Sequence, residues 1–339
     1  MRILVTGGAG FIGSNLVRFL LERYPTYQVR VLDALTYAGN LDNLPESYRD
    51  DPRLQFVHGN IQNSALVDDL VSECDVVVHL AAETHVPRSI YDNVTFVETD
   101  VLGTQVVLNA VLKHPLERFV HVSTSEVYGT ARQVPMTEDH PLNPTTPYAS
   151  AKTGADRLVY SYHVTYGVPC VIVRPFNTYG PYQHLEKVIP RFITSALTDE
   201  PLTIHGDGSN SRDWIFVEDL CAGLDRVIHA DLGLVNGEVL NLGTGVDLSI
   251  KSIAEQVVDR LGRPRSLISY TEDRPGQVRR HIAGTDKAHR LLNWKAETSF
   301  PDGLGRTIRW YAEHRQWWQK LLWMKSVTIT GPGGQKLTY

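Results

Sequence analysis

A chain of 339 residues with 42% hydrophobic and 21% charged residues has the makeup of a folded globular protein, long enough for two lobes. Its net charge of −5 lacks the basic footprint that nucleic acid or an anionic membrane surface demands, so neither is an expected partner. Cys74, Cys170 and Cys221 lie far apart with no CxxC or Cys/His pairing, which argues against a disulfide framework or a metal site and for a reducing, cytoplasmic setting.

The opening MRILVTGG reads as a strand entering a glycine turn rather than a targeting segment, and no apolar run is long enough to span a membrane. Short β-branched runs at 3–5, 29–32, 54–57, 76–80 and 119–122 read as buried strands, with helical apolar spacing over 11–23 and 95–112 between them. A further helix starts near Pro147, and 168–173 makes a sixth strand. Such alternation predicts an α/β fold: a Rossmann-type doubly wound parallel sheet. Beyond Pro175 the turn-rich pieces HGDGSN, NLGTG and DRPGQ predict a smaller, loop-rich C-terminal lobe. Residues 1–175 are therefore expected to form the dinucleotide-binding domain, with a later segment of about 212–230 returning to it. Residues 176–314 are expected to be mainly the substrate lobe. The stretch 315–339 reads as an aromatic and glycine-rich tail, in which the packing of Trp317, Trp318 and Trp323 is left open.

The first strand runs into Gly7-Gly-Ala-Gly10-Phe11-Ile12-Gly13 and then into a helix. Glycines there permit a tight turn and a close backbone approach to pyrophosphate at a helix N-terminus. Asp33, about twenty residues on at the end of strand two, is placed for ribose hydroxyls and favours NAD over NADP, whose 2′-phosphate it would repel. Asn60, followed by Ile61 in HGNIQN, falls where the adenine ring would lie, though a turn-forming asparagine reads equally well.

Tyr148 and Lys152 form a YxxxK pair, one turn apart on one helix face. A phenol is a poor base at neutral pH. A neighbouring ammonium and a positive nicotinamide ring are expected to favour its phenolate, which could then take a proton from a sugar hydroxyl. Lys152 can also bind the nicotinamide ribose. Thr124, Ser125 and Glu126 follow strand five at the carboxyl end of the sheet. Thr124 can hydrogen-bond the reacting hydroxyl, and Glu126 offers a second base that a plain alcohol dehydrogenase would not need.

With these residues assembled, the chain resembles the dTDP-glucose 4,6-dehydratases of the extended short-chain dehydrogenase/reductase superfamily, from the first strand to about Trp310. The motifs are TGGAGFIGSN, LDALTYAGN, HLAAETHVPRSI, STSEVYG, PYASAK, RPFNTYGPYQHLEKVIP, GDGSNSRDWIFVEDL and DRPGQVRR. The resemblance implies a nucleotide-diphosphate sugar as substrate, a tightly held NAD, and three acts: oxidation at C4, loss of water across C5 and C6, and hydride return to C6. It makes Tyr148 the oxidation base, has Thr124 orient the sugar, and gives Glu126 the C5 proton. It places Thr84, His85, Asn177, Lys187, Arg212, Asn241 and Arg274 at the nucleotide sugar, and implies a homodimer built on the two long helices.

Three positions in the sugar pocket depart from that pattern. Ser125 stands where an aspartate usually protonates the leaving C6 hydroxyl, Pro87 where an aspartate is usual, and Gln277 where a histidine is common. In the cofactor site, Asn60 replaces the usual acidic residue. GDP-mannose 4,6-dehydratases and UDP-glucuronate decarboxylases also carry Thr-Ser-Glu, so two readings share the C4 oxidation: a nucleotide-sugar 4,6-dehydratase, and a UDP-glucuronate decarboxylase or C4 epimerase. A non-catalytic NAD-binding regulator is the third reading, and the intact YxxxK with Thr124 and Glu126 speaks against it.

Overall fold

The computed structural model describes residues 1–46, 50–273 and 276–325, together with the backbone of 328–330 and 336–338. Six strands arise where β-branched runs were read: β1 (Arg2–Thr6), β2 (Gln28–Asp33), β3 (Leu54–His58), β4 (Val76–His79), β5 (Arg118–Val122) and β6 (Cys170–Pro175). The last begins two residues late because the preceding helix, Pro147–Tyr166, ends on left-handed Gly167, and Val168 N–H caps back to Tyr162 O. Downstream come β7 (Asn177–Tyr179), β8 (Leu202–His205), β9 (Ser211–Phe216), β10 (Val239–Leu242), β11 (Asp247–Ser249) and β12 (Ile268–Thr271).

Seven strands form one wholly parallel sheet in the order β10-β6-β5-β4-β1-β2-β3. Alternate side chains enter opposite cores, as the period of two requires. Ile3, Val5, Val29, Val31, Val76 and Val78 meet the helices Phe11–Arg23 and Val217–His229 through Leu16, Leu20, Leu220 and Leu224. Leu4, Leu32, Val77 and Phe119 meet Ser64–Ser72, Thr104–Lys113 and Pro147–Tyr166 through Val67, Val107 and Val159. Burial on both faces makes the sheet doubly wound. Strand β10 comes from a stretch read in sequence as part of the smaller lobe, and it pairs with β6.

The single helix expected over 95–112 is interrupted: Val94–Phe96 passes through a π turn, Val97–Gly103, before Thr104–Lys113. The smaller lobe has its own core of Phe192, Ile193, Trp214, Val257, Ile308 and Tyr311, over the sheets β11-β9-β7 and β12-β8. Trp317 and Trp318 are buried in that core, whereas Trp323 is 70% exposed. Trp317 Nε1–H also donates to Asn43 Oδ1 of the first lobe, at 2.9 Å. Among the described residues no helix is long and apolar enough to cross a membrane.

Candidate active site

Strand order reverses between β4 and β1, so connections leave in opposite directions and open a crevice at the carboxyl ends of the strands. A cleft of ≈ 420 Å³ lies there. One end is the glycine turn. Gly7 has φ +71°, and a Cβ on it would stand 2.7 Å from Ala81 N, while one on Gly13 would lie 2.3 Å from Gly7 O. Both glycines let backbone pack on backbone. A Cβ on Gly10 would instead meet only Gly7 O, at 3.2 Å, and otherwise fill the cleft. With Phe11 and Ile12 also lining it, the turn forms a cradle at the N-terminus of Phe11–Arg23 that suits a pyrophosphate.

Asp33 ends β2 on the cleft wall, held by the N–H groups of Ala9 (2.9 Å) and Leu35 (2.8 Å). Burial raises its carboxyl above the usual value, opposed by those backbone hydrogen bonds. Its remaining lone pairs suit ribose hydroxyls. Asn60 lines the cleft and also makes a turn, its Oδ1 accepting from Gln62 N–H at 2.9 Å. Ile61 is buried against Gly103.

At the other end the helix Pro147–Tyr166, capped by Thr146 Oγ1, turns Tyr148 and Lys152 into the cleft beside Thr124, Ser125 and Glu126. Lys152 is buried, and its Nζ donates to Val122 O at 3.0 Å. Burial lowers its basicity, opposed by Asp100 and Asp156. The Tyr148 ring packs edge-on against Phe96, with centroids 6.3 Å apart. Burial pushes its phenol well above 10; the Thr124 hydroxyl pulls it down, and the charges of Asp100 and Glu126 push it further up. The Lys152 ammonium points at the Val122 carbonyl, and within the polypeptide the balance of burial and neighbouring charge favours the neutral phenol.

Sequence reading missed several groups of the site. Asp100, held in the π turn, is 1% exposed, accepts from Glu83 N–H at 2.8 Å, and is pushed by burial up to about 7. Glu186, in the quoted LEKVIP motif, lies 3.0 Å from Lys187 Nζ and accepts from Tyr37 Oη–H at 3.3 Å. Burial would raise its carboxyl, but Lys187, His85 and His184 hold it below the usual range. No spacing rule marks these residues, because Asp100 comes from a helical segment and Glu186 from the loop before the helix Val188–Leu197, far apart in the chain.

Of the residues expected at the nucleotide sugar, Thr84, Asn177 and Lys187 line the main cleft. Asn177 presents a buried Oδ1 with no hydrogen-bond partner among the described residues. Lys187 Nζ is anchored to Thr84 O at 2.9 Å. Arg212 lines an adjoining cavity of ≈ 200 Å³ with Pro87 and Gln277; the two spaces share Val86, Glu126, Asn177, Val188 and Trp214. Burial lowers the Arg212 guanidinium, and Glu126 opposes this.

Two of the expected residues stand outside the cleft lining. His85 is a buried helix cap outside the cleft lining, its Nδ1 accepting from Arg88 N–H at 3.1 Å. Asn241 is fully buried, and its amide serves a polar network. It accepts from Tyr128 Oη–H (2.7 Å) and donates to Met136 O (2.9 Å), while Tyr128 leans on the Arg174–Asp156 ion pair (2.9 Å). Arg274 lies outside the described residues.

A family model described as GDP-mannose 4,6-dehydratase matches residues 4–307. The low-salt glycan biosynthesis protein Agl12 of Haloferax volcanii is 48% identical over 92% of this chain and 98% of its own length. The dTDP-glucose 4,6-dehydratase of Streptomyces antibioticus is 44% identical over 95% of both chains. The crystal structure of DesIV, a dTDP-glucose 4,6-dehydratase from Streptomyces venezuelae with NAD bound, matches with a TM-score of 0.91 at 45% identity, over 95% of this chain and 100% of that one.

Proposed function

The chain belongs to the GDP-mannose 4,6-dehydratase family, and from that premise we propose that it binds NAD and a nucleotide-diphosphate hexose and dehydrates the sugar across C5 and C6. The carrying observation is one cleft that joins a glycine cradle and Asp33 at one end to Tyr148, Lys152, Thr124, Ser125 and Glu126 at the other. The cradle and Asp33 fit a dinucleotide, and bound NAD supplies the hydride acceptor for C4 and donor for C6.

Tyr148 takes the C4 hydroxyl proton, with Thr124 bridging phenol and sugar. Burial and Asp100 oppose the phenolate, and bound oxidised NAD would add positive charge that favours it. Lys152, fixed on Val122 O, holds the nicotinamide ribose. Once C4 is a ketone the C5 proton is acidic, and Glu126, a carboxylate lining the same cleft, takes it. Lys187, Asn177 and Arg212 face the diphosphate, where a guanidinium gives bidentate hydrogen bonds.

The nucleotide is read as dTDP from the relatives' activity. Ser125, in place of an acid, supports the second reading: a decarboxylase or epimerase that shares the first step. Incubation with dTDP-glucose, GDP-mannose and UDP-glucuronate, followed by product mass, separates them. Loss of one water is expected from a hexose. Loss of carbon dioxide from UDP-glucuronate, or an isomer of unchanged mass, would overturn the dehydratase reading.

Two further properties belong to this reading. Val94, Val97, Leu102, Tyr160 and Val164 are exposed on the two long helical segments, an apolar face that supports a homodimer through a four-helix contact. Light scattering should give twice the chain mass, and Val164→Glu should reduce it to one. Three free buried cysteines support a cytoplasmic location.

A further inference from the structure

Behind Ser125 and Glu126 lies a histidine that none of these steps employs. His281 is fully enclosed, packed edge-on against Phe176 with centroids 6.1 Å apart. Its Nε2 is 2.7 Å from Gly129 O. A carbonyl can only accept, so Nε2 carries the ring proton of the neutral imidazole and Nδ1 is left with its lone pair. That nitrogen faces two groups of the site wall: Ser125 Oγ at 3.5 Å and Glu126 Oε1 at 3.9 Å. Ser125 and Glu126 both reach the cleft, while His281 does not.

This placement bears on a gap in the chemistry. Elimination needs an acid for the leaving C6 hydroxyl, and a serine has no proton to give at neutral pH unless it receives another at the same moment. We propose that Glu126, His281 and Ser125 form a proton relay that carries the proton taken from C5 to the departing C6 oxygen. The inference rests on the dehydratase reading.

Glu126 takes the C5 proton and passes it to His281 Nδ1. Nδ1–H passes it to Ser125 Oγ as the Ser125 hydroxyl gives its own proton to the C6 oxygen. The C6–O bond breaks, the electron pair left at C5 becomes the C5–C6 double bond, and water departs. All three side chains finish as they began, so no outside acid is consumed. His281 acts through Ser125 and is a positioning and relay residue rather than one that touches the sugar. Its electrostatics agree: burial keeps the imidazole neutral at rest, Glu126 favours its protonation, and Arg212 and His140 oppose it.

The relay separates two events that a purely structural histidine would keep together. With dTDP-glucose in heavy water, Ser125→Ala and His281→Gln should lower dehydration by about 100-fold or more. Both should still exchange the C5 proton, so that recovered dTDP-glucose carries deuterium at C5 and the absorbance of reduced cofactor builds up. A carboxyl set directly on the cleft, as in the double variant Ser125→Asp/His281→Gln, should restore water loss. Nitrogen NMR of the wild-type imidazole should find the proton on Nε2.

Unchanged dehydration in either single variant overturns the relay. So does a His281→Gln enzyme that loses C5 exchange together with product, since the histidine would then merely shape Glu126; so does a resting proton on Nδ1. A wild-type enzyme that leaves dTDP-glucose, GDP-mannose and every other nucleotide hexose unoxidised overturns the dehydratase reading itself, and the relay with it.

Discussion

Tyr148 sits among groups that favour its neutral form, since burial, Asp100 and Glu126 all resist a phenolate. Tyr148→Phe should lower turnover by about 100-fold or more while leaving NAD affinity within error, measured by steady-state kinetics and by titration. Asp100 is the other unusual acid, held up at about 7 against an ordinary 3.8. Between those values the folded protein keeps a proton that the unfolded chain has released. Its contribution to stability therefore falls as pH rises from about 4 to about 7. Asp100→Asn, which keeps an acceptor for Glu83 N–H, should flatten the dependence of Tm on pH in that window; an unaltered slope would remove Asp100 as its source.

At the scale of elements, two helical segments do most of the positioning. Pro147 at the first turn and Thr146 Oγ1, accepting from Ala149 N–H at 3.2 Å, fix where Pro147–Tyr166 begins, one residue before Tyr148. Thr146→Ala should cost about 1 kcal/mol in denaturant unfolding, and by loosening that start it should lower turnover more than it weakens NAD binding. The π turn Val97–Gly103 serves the same site from the neighbouring segment. Its extra residue in the turn re-aims the side chains there, and it sets Thr99 on the cleft wall with Asp100 buried behind Glu83.

Across the whole molecule, the sheet supplies the cofactor end of the cleft, and the chain crosses to the smaller lobe and back to complete it. Val217–His229 and β10 return to the sheet, while Arg212 and Trp214 on β9 reach the cavity that adjoins the cleft. The tail fastens this arrangement: Trp318 is fully buried with its Nε1–H on Tyr311 O at 2.7 Å, and Trp317 reaches Asn43 across the lobes. Trp318→Ala should destabilise by roughly 3–5 kcal/mol, visible as a large drop in Tm.

The local signals carried far on their own. Continuous β-branched runs separated by helical segments require a sheet buried on both faces, Gly7, Gly10 and Gly13 require a backbone that approaches something closely, and YxxxK requires one helix face. Each depends only on residues near one another in the chain, which is why the six strands, the cradle and the Tyr148–Lys152 pair were legible. What joins Ser125 to His281, 156 positions on, what draws Asn241 into the Arg174–Tyr128 network instead of the cleft, and what lifts Asp100 to a titration near neutrality were not. Those follow from which groups the folded chain shuts away from water together, and desolvation and long-range pairing leave no periodic trace in a sequence.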